Sequence, residues 1–242
     1  MDPGLRRLVL VALAASPIIA PPALGQVLVS EPGTWELTLA GSGRRYTLVI
    51  PERYAEADTV PLIVSLHFGG PVTPYIGRSL IEQLIEPALD GLGAVIVAPD
   101  SAANGWTNPV AEQHVLELVD FIEANYRIDR SKTLLIGYSM GAAGTWYLAP
   151  RHADRFEAAI PIAGIPHDTD PANWATPTYA INSTVDELIP IDEARSAVAQ
   201  LQAGGAPVRI DVVRNITHFQ IPRYRRHLRN AIPWIEQVWM QD

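Results

Sequence analysis

The chain contains no cysteine. That one absence removes disulfides, zinc–thiolate centres, a cysteine nucleophile and a lipidated N-terminal cysteine together. Lysine is nearly missing as well. Lys132 is the only one among 18 basic residues, and it carries no functional reading. Positive charge is in deficit: 26 acidic residues give a net charge of −8, which argues against broad binding to nucleic acid. No internal repeat, low-complexity block, metal-ligand spacing or glycine-rich phosphate loop is found, so no metal and no cofactor is expected. The apolar run Leu8–Ala15 is followed by Pro17 and Pro21-Pro22, which leaves it too short and too interrupted to span a membrane. Nothing in the sequence sets an oligomeric state.

What is present suits one α/β domain. A chain of 242 residues with 48% hydrophobic content can bury a full core and is not disordered. Arg6 and Arg7 precede the Leu8–Ala15 run, and Ala23-Leu24-Gly25 has the small–x–small form of a cleavage site. Residues 1–25 are therefore expected to be an export signal. Residues 26–242 are expected to form the mature domain, in the periplasm or outside the cell.

The pattern after the leader alternates strand and helix signals. Trp35–Leu39 and Arg45–Ile50 alternate apolar and polar residues around Gly41-Ser42-Gly43, which predicts an antiparallel hairpin. Short apolar runs follow at 61–66, 94–98, 133–136, 158–162, 178–181 and 208–213. Amphipathic segments near 78–92, 112–126, 141–149, 192–203 and 224–240 predict helices between and after them. Apolar strands alternating with helices imply a mostly parallel sheet covered on both faces. In such sheets, ligands sit beyond the carboxyl ends of the strands, so the residues there matter most. Arg223, Arg225, Arg226 and Arg229 cluster near the C-terminus and read as a solvated helix face with ion pairs.

One segment stands out: Thr133-Leu-Leu-Ile-Gly137-Tyr-Ser139-Met-Gly141. A strand signal runs into Gly-x-Ser-x-Gly, and a small-residue helix follows. At such a turn the serine hydroxyl is pushed out of the backbone, and glycines leave room for the flanking strand and helix. Ser139 is the candidate nucleophile. Asp186 follows a later strand, in Asn182-Ser-Thr-Val-Asp186-Glu187, and His218 follows the last, in Asn215-Ile-Thr-His218. A serine hydroxyl attacks only when a base takes its proton. A neutral imidazole can, and a carboxylate on its other nitrogen fixes the tautomer. Glu187 and Asp192 compete with Asp186, which is preferred because it lies in the first loop past its strand. His67, His114, His152, His167 and His227 compete with His218 and fit the strand-end position or the order less well.

His67-Phe68-Gly69-Gly70 closes the 61–66 strand, where glycines let backbone N–H groups turn toward a developing oxyanion. The N–H of Met140 is one expected donor. Gly69 is the first choice for the second and Phe68 the runner-up. His67 reads as a side chain that holds this loop. Trp106 and Tyr75 are candidates to border the substrate cleft, with plain packing as the competing reading for each.

Leu66-His-Phe-Gly-Gly70, Gly137-Tyr-Ser-Met-Gly141, Ser183-Thr-Val-Asp186 and Thr217-His218 fall in the order of the α/β-hydrolase superfamily over most of residues 35–240. The chain resembles the compact bacterial feruloyl esterase, polyhydroxybutyrate depolymerase and phospholipase/carboxylesterase-like group. The resemblance implies hydrolysis of short-chain or aryl carboxylic esters, small or polymeric, through an acyl-enzyme. Two departures stand out. His67-Phe68 replaces the His-Gly of many relatives, and the disulfides of extracellular depolymerases are missing. Only residues 163–177 separate the 158–162 strand from the next, so no cap domain is expected. The competing readings are a peptidase or amidase of the prolyl-oligopeptidase kind, and a catalytically silent binding module on the same fold.

Overall fold

The computed structural model describes residues 27–71, 73–102 and 105–241. The expected export signal, residues 1–25, lies outside the described residues.

The strands are β1 Gly33–Leu39, β2 Arg44–Ile50, β3 Val60–Leu66, β4 Val95–Pro99, β5 Ile128–Tyr138, β6 Ala158–Ile162, β7 Thr178–Ser183 and β8 Val208–Val213. They form one sheet in the order β1-β2-β4-β3-β5-β6-β7-β8. β1 and β2 are an antiparallel hairpin in full register from Gly33↔Ile50 to Leu39↔Arg44, and β2 joins β4 antiparallel. Every pairing from β4 through β3 to β8 is parallel. The hairpin turn closes with Gly43 N–H donating to the Leu39 carbonyl at 3.0 Å, and both turn glycines have positive φ. The expected mostly parallel sheet with an N-terminal hairpin is therefore present.

Helices cover both faces: α1 Gly77–Leu80, α2 Glu86–Leu89, α3 Pro109–Asn125, α4 Met140–Leu148, α5 Ile191–Ala203, α6 Arg225–Arg229 and α7 Ile232–Trp239. Neighbouring strand residues point to opposite faces, and the core divides accordingly. Ile63, Leu134 and Ile136 pack with the helical stretch 80–92 and with α6 and α7. Leu62, Val64 and Leu135 pack with the inner face of α3, from Ala111 to Ile122. α3 begins where Asn108 Oδ1 accepts the Ala111 N–H at 3.0 Å, with Pro109 as its first residue, a common helix start.

Three expectations needed correction. β5 is longer than its apolar centre, because the polar stretch Asp129–Lys132 hides its first half; Ile128 pairs with Val60 across a register shift. The helix expected over 224–240 divides into α6 and α7. Pro233 lacks an N–H and would clash with the carbonyl four residues back, so α7 restarts just before it. The arginine cluster is also more than a solvated face. Pro87 cannot bond back to Gln83, and a π turn, Ile81–Ile85, stands between α1 and α2. Arg225 Nε donates to the Gln83 carbonyl at 2.6 Å, and Arg229 donates to the Pro87 carbonyl. Two of the four arginines thus bind backbone carbonyls of the helical stretch 77–92, one of them the Gln83 carbonyl that Pro87 cannot bond.

From Ala163 to Pro177 the connection between β6 and β7 contains one 3-10 turn, Pro171–Asn173. Among the described residues, no helical cap is inserted between β6 and β7.

Candidate active site

Ser139 stands at the junction of β5 and α4 with φ +55° and ψ −114°, a conformation that costs about 1–3 kcal/mol for a residue with a side chain. The surroundings hold it there. Its N–H donates to the Ile162 carbonyl of β6 at 2.9 Å. The turn is too tight for side chains on either side. A Cβ on Gly137 would stand 2.1 Å from the Gly141 carbonyl oxygen, and one on Gly141 would stand 1.9 Å from that of Leu66. The glycines of the motif let strand and helix approach until only backbone separates them.

His218 reaches Ser139 from the loop after β8, and Asp186 from the loop after β7. Ser139 Oγ lies 2.8 Å from His218 Nε2. His218 Nδ1 lies 2.9 and 3.0 Å from the two oxygens of Asp186. With Nδ1 donating to the carboxylate, Nε2 is left to accept the Ser139 proton. The side chains of His218 and Asp186 are 5% and 1% exposed. Burial alone would raise the Asp186 pKa. The His218 hydrogen bond and the N–H groups of Ile189 and Leu188, both at 2.9 Å, outweigh it and hold the carboxyl below its ordinary range.

Two residues orient the imidazole from behind. Glu187 Oε2 accepts the backbone N–H of His218 at 2.9 Å. Tyr138 donates its hydroxyl to the His218 carbonyl at 2.5 Å, and its ring lies against the imidazole. Burial pushes the Tyr138 phenol above its usual range, which keeps it a donor. Sequence reasoning considered Glu187 only as a substitute for Asp186, and Tyr138 only as the variable residue of the motif. Asp192, the other competitor, opens α5 with its side chain 91% exposed and pairs with Arg195. His114 and His227 lie on α3 and α6, His152 pairs with Glu112, and His167 is exposed between β6 and β7.

The loop after β3 lies on the other side of Ser139. Met140 is the first residue of α4, so its N–H has no acceptor within the helix. Gly69 lies against it: a Cβ at Gly69 would stand 3.6 Å from Met140 Sδ. Phe68 packs its ring against the core and accepts His67 Nδ1–H at its carbonyl, 2.8 Å away. His67 Nε2 accepts the Ser101 N–H at 3.1 Å. Burial lowers the His67 pKa, against the opposing pull of the Phe68 carbonyl and Asp100. The neutral ring can accept at Nε2; an imidazolium cannot.

Trp106 was a candidate to border the cleft and does not. It is 1% exposed, its ring meets that of His67 edge-on, and its indole N–H donates to the His67 carbonyl at 2.9 Å. It supports the loop from below. Tyr75, the other candidate, is half-buried beside Arg45, and its neighbour Ile76 lines the cleft instead. Asp100, which follows β4, was overlooked although it stands at a strand end. Its Oδ2 accepts from Arg45 Nε at 2.8 Å and from the Tyr75 N–H at 3.1 Å, fixing the far end of the same loop. The resulting cleft is about 470 Å³ and is walled by Arg45, His67, Thr73, Asp100, Ser101 and Met140 among others. Among the described residues, no group of three or more His, Asp or Glu stands together as a metal site would need.

The model of the family named Esterase matches residues 48–212, more than half of the chain. The chain belongs to this esterase family. Within it, the chain is similar to the probable feruloyl esterase C of Aspergillus terreus, 31% identical over 157 residues. That match covers 62% of this chain and 58% of the relative, so the chain spans less than two thirds of the curated relative's length. Among solved structures, a thermostable esterase superposes with a TM-score of 0.68 at 22% identity, covering 84% of this chain and 62% of that one. A ferulic acid esterase superposes with a TM-score of 0.65 at 19% identity, covering 86% and 97%. Sheet order and neighbours establish the α/β-hydrolase fold for this member of the esterase family.

Proposed function

We propose that this member of the esterase family is an exported serine hydrolase that cleaves carboxylic esters through Ser139, His218 and Asp186. The unbroken hydrogen-bonded chain Ser139–His218–Asp186, starting at a strained and partly exposed serine, carries the reading. His218 Nε2 takes the Ser139 proton as Oγ attacks the ester carbonyl carbon. The N–H groups of Met140 and Gly69 hold the oxyanion, and Phe68 shapes the loop. The proton on Nε2 then passes to the leaving alkoxide, which departs as the alcohol. Water, activated by the same base, releases the acid and restores Ser139.

An open cleft without a cap buries little of a long acyl chain, and each methylene gains about 0.8 kcal/mol only when removed from water. Short acyl and aryl esters are the proposed substrates. The feruloyl esterase name of the Aspergillus relatives supports the aryl class. Export rests on the leader-like residues 1–25.

The test is Ser139→Ala, with circular dichroism as the fold control, on p-nitrophenyl esters of increasing chain length, a feruloyl ester and a peptide anilide. Ester hydrolysis should fall by about 10³–10⁶ in kcat, and a fluorophosphonate probe should label the native serine alone. A folded variant within tenfold of the native rate would refute the proposal.

A further inference from the structure

Among the described residues, seven large hydrophobic side chains are exposed, and three of them adjoin the site: Val185, Leu188 and Phe219. Val185 precedes Asp186, Leu188 follows it by two residues, and Phe219 follows His218. The two loops that carry them are tied together by Asp186 to the His218 ring and by Glu187 to the His218 N–H. Phe219 is 73% exposed, yet its ring stands edge-on to the imidazole with centroids 5.5 Å apart. A phenylalanine this exposed gains little from burial. Three exposed apolar side chains beside one site mark a surface that meets apolar matter.

We infer that Val185, Leu188 and Phe219 form a subsite for an apolar, aryl or branched, alcohol portion of the ester. The inference rests on the esterase reading above. The chemistry assigns the side. The proton on His218 Nε2 must reach the leaving oxygen, so that oxygen comes within hydrogen-bond distance of Nε2. Whatever is bonded to it lies over the imidazole, and the exposed ring in contact with the imidazole is that of Phe219. The oxyanion donors and the 470 Å³ cleft walled by Met140 are on the other side of Ser139 and receive the acyl portion. The acyl side is bordered by Arg45, Asp100, Ser101 and Thr73, whereas the loops on the alcohol side present Val185, Leu188 and Phe219 to solvent. A sugar alcohol finds no charged or hydroxyl partner among Val185, Leu188 and Phe219. An aryl alcohol can stack on Phe219.

The experiment compares kcat/KM for ethyl acetate and 2-phenylethyl acetate, which form the same acetyl-enzyme from alcohols of similar acidity. The native enzyme should favour the phenylethyl ester by about tenfold, the scale of one aromatic contact plus its buried area. Phe219→Ser should collapse that ratio to about one, Leu188→Ser should reduce it, and Phe219→Leu should keep most of it. In a mirrored pair, ethyl acetate against ethyl 3-phenylpropanoate, the ratio should not respond to Phe219→Ser. A phenylethyl ratio unmoved by Phe219→Ser, or an equal response in the acyl pair, would overturn the assignment. Ser139→Ala separates the two proposals. If it still hydrolyses these esters, the esterase reading fails. If it is inactive while the ratio stays fixed, only the subsite fails.

Discussion

At the scale of single residues, the site is built from close approaches that leave no latitude. Ser139 keeps a strained backbone because Gly137 and Gly141 let β5, α4 and the end of β3 meet at backbone distance. Gly141→Ala places a Cβ 1.9 Å from the Leu66 carbonyl oxygen, a contact that a flexible side chain cannot relieve. It should cost at least about 2 kcal/mol in urea unfolding and misplace the Ser139 hydroxyl. Asp186 and Glu187 are adjacent carboxylates with different jobs: one faces the imidazole and the other its backbone N–H. In the proposed mechanism, Asp186→Asn lowers kcat by roughly 10²–10⁴ through loss of the favoured tautomer, with ester binding retained. Glu187→Gln, which can still accept at its amide oxygen, should have a far smaller effect. Steady-state kinetics on one ester check both, and the reverse ranking would show that the two carboxylates had been misassigned.

At the scale of elements, prolines divide helices, and other side chains repair the openings. Pro87 leaves the Gln83 carbonyl without its helical donor, and Arg225, 142 residues away in sequence, supplies one at 2.6 Å. Arg225→Ala should cost about 1–3 kcal/mol, since a hydrogen bond from a charged donor is lost and a carbonyl is left open. Arg225→Lys should recover part of it. Urea unfolding midpoints measured on both variants decide whether this contact ties the helical stretch 77–92 to α6. The loop after β3 is likewise secured at its two ends. Ser101 and Trp106 hold His67, and Asp100 holds Tyr75.

At the scale of the whole molecule, two buried titratable groups make stability depend on pH in the same direction. Burial lowers the His67 pKa, so the folded protein takes up a proton there only at a lower pH than the unfolded chain does. The unfolded imidazole takes up a proton near its ordinary value of about 6.5. Below that pH the unfolded state binds more protons than the folded state, and stability declines as the pH falls. The Asp186 carboxyl is held below its ordinary range. Its contribution is complete above the unfolded value of about 3.9 and drains away as pH falls from there toward the folded value. Acid unfolding should therefore begin below about pH 6.5 and steepen below about pH 4. His67→Gln should be less stable near neutrality and lose less between about pH 7 and pH 5. Parallel urea titrations at several pH values test this, and a variant that loses as much as the native protein would assign the upper window to other groups.

The sequence alone determined the features that repeat along the chain. Alternation marked β1 and β2, unbroken apolar runs marked the buried parallel strands, and Gly-x-Ser-x-Gly at a strand end marked Ser139. Each is readable because it depends on neighbours within a few residues. The tertiary structure decided what depends on residues far apart. It brought Asp186 rather than Asp192 to His218, and it set Glu187 and Tyr138 behind the imidazole. It turned Trp106 inward, where a Cβ on Gly144 would stand 2.3 Å from that of Trp106, and it gave the C-terminal arginines backbone carbonyls to bind. The physical reason is the same in each case. A side chain's partners are chosen by packing between loops and helices that follow different strands, and no local period records which of them will meet.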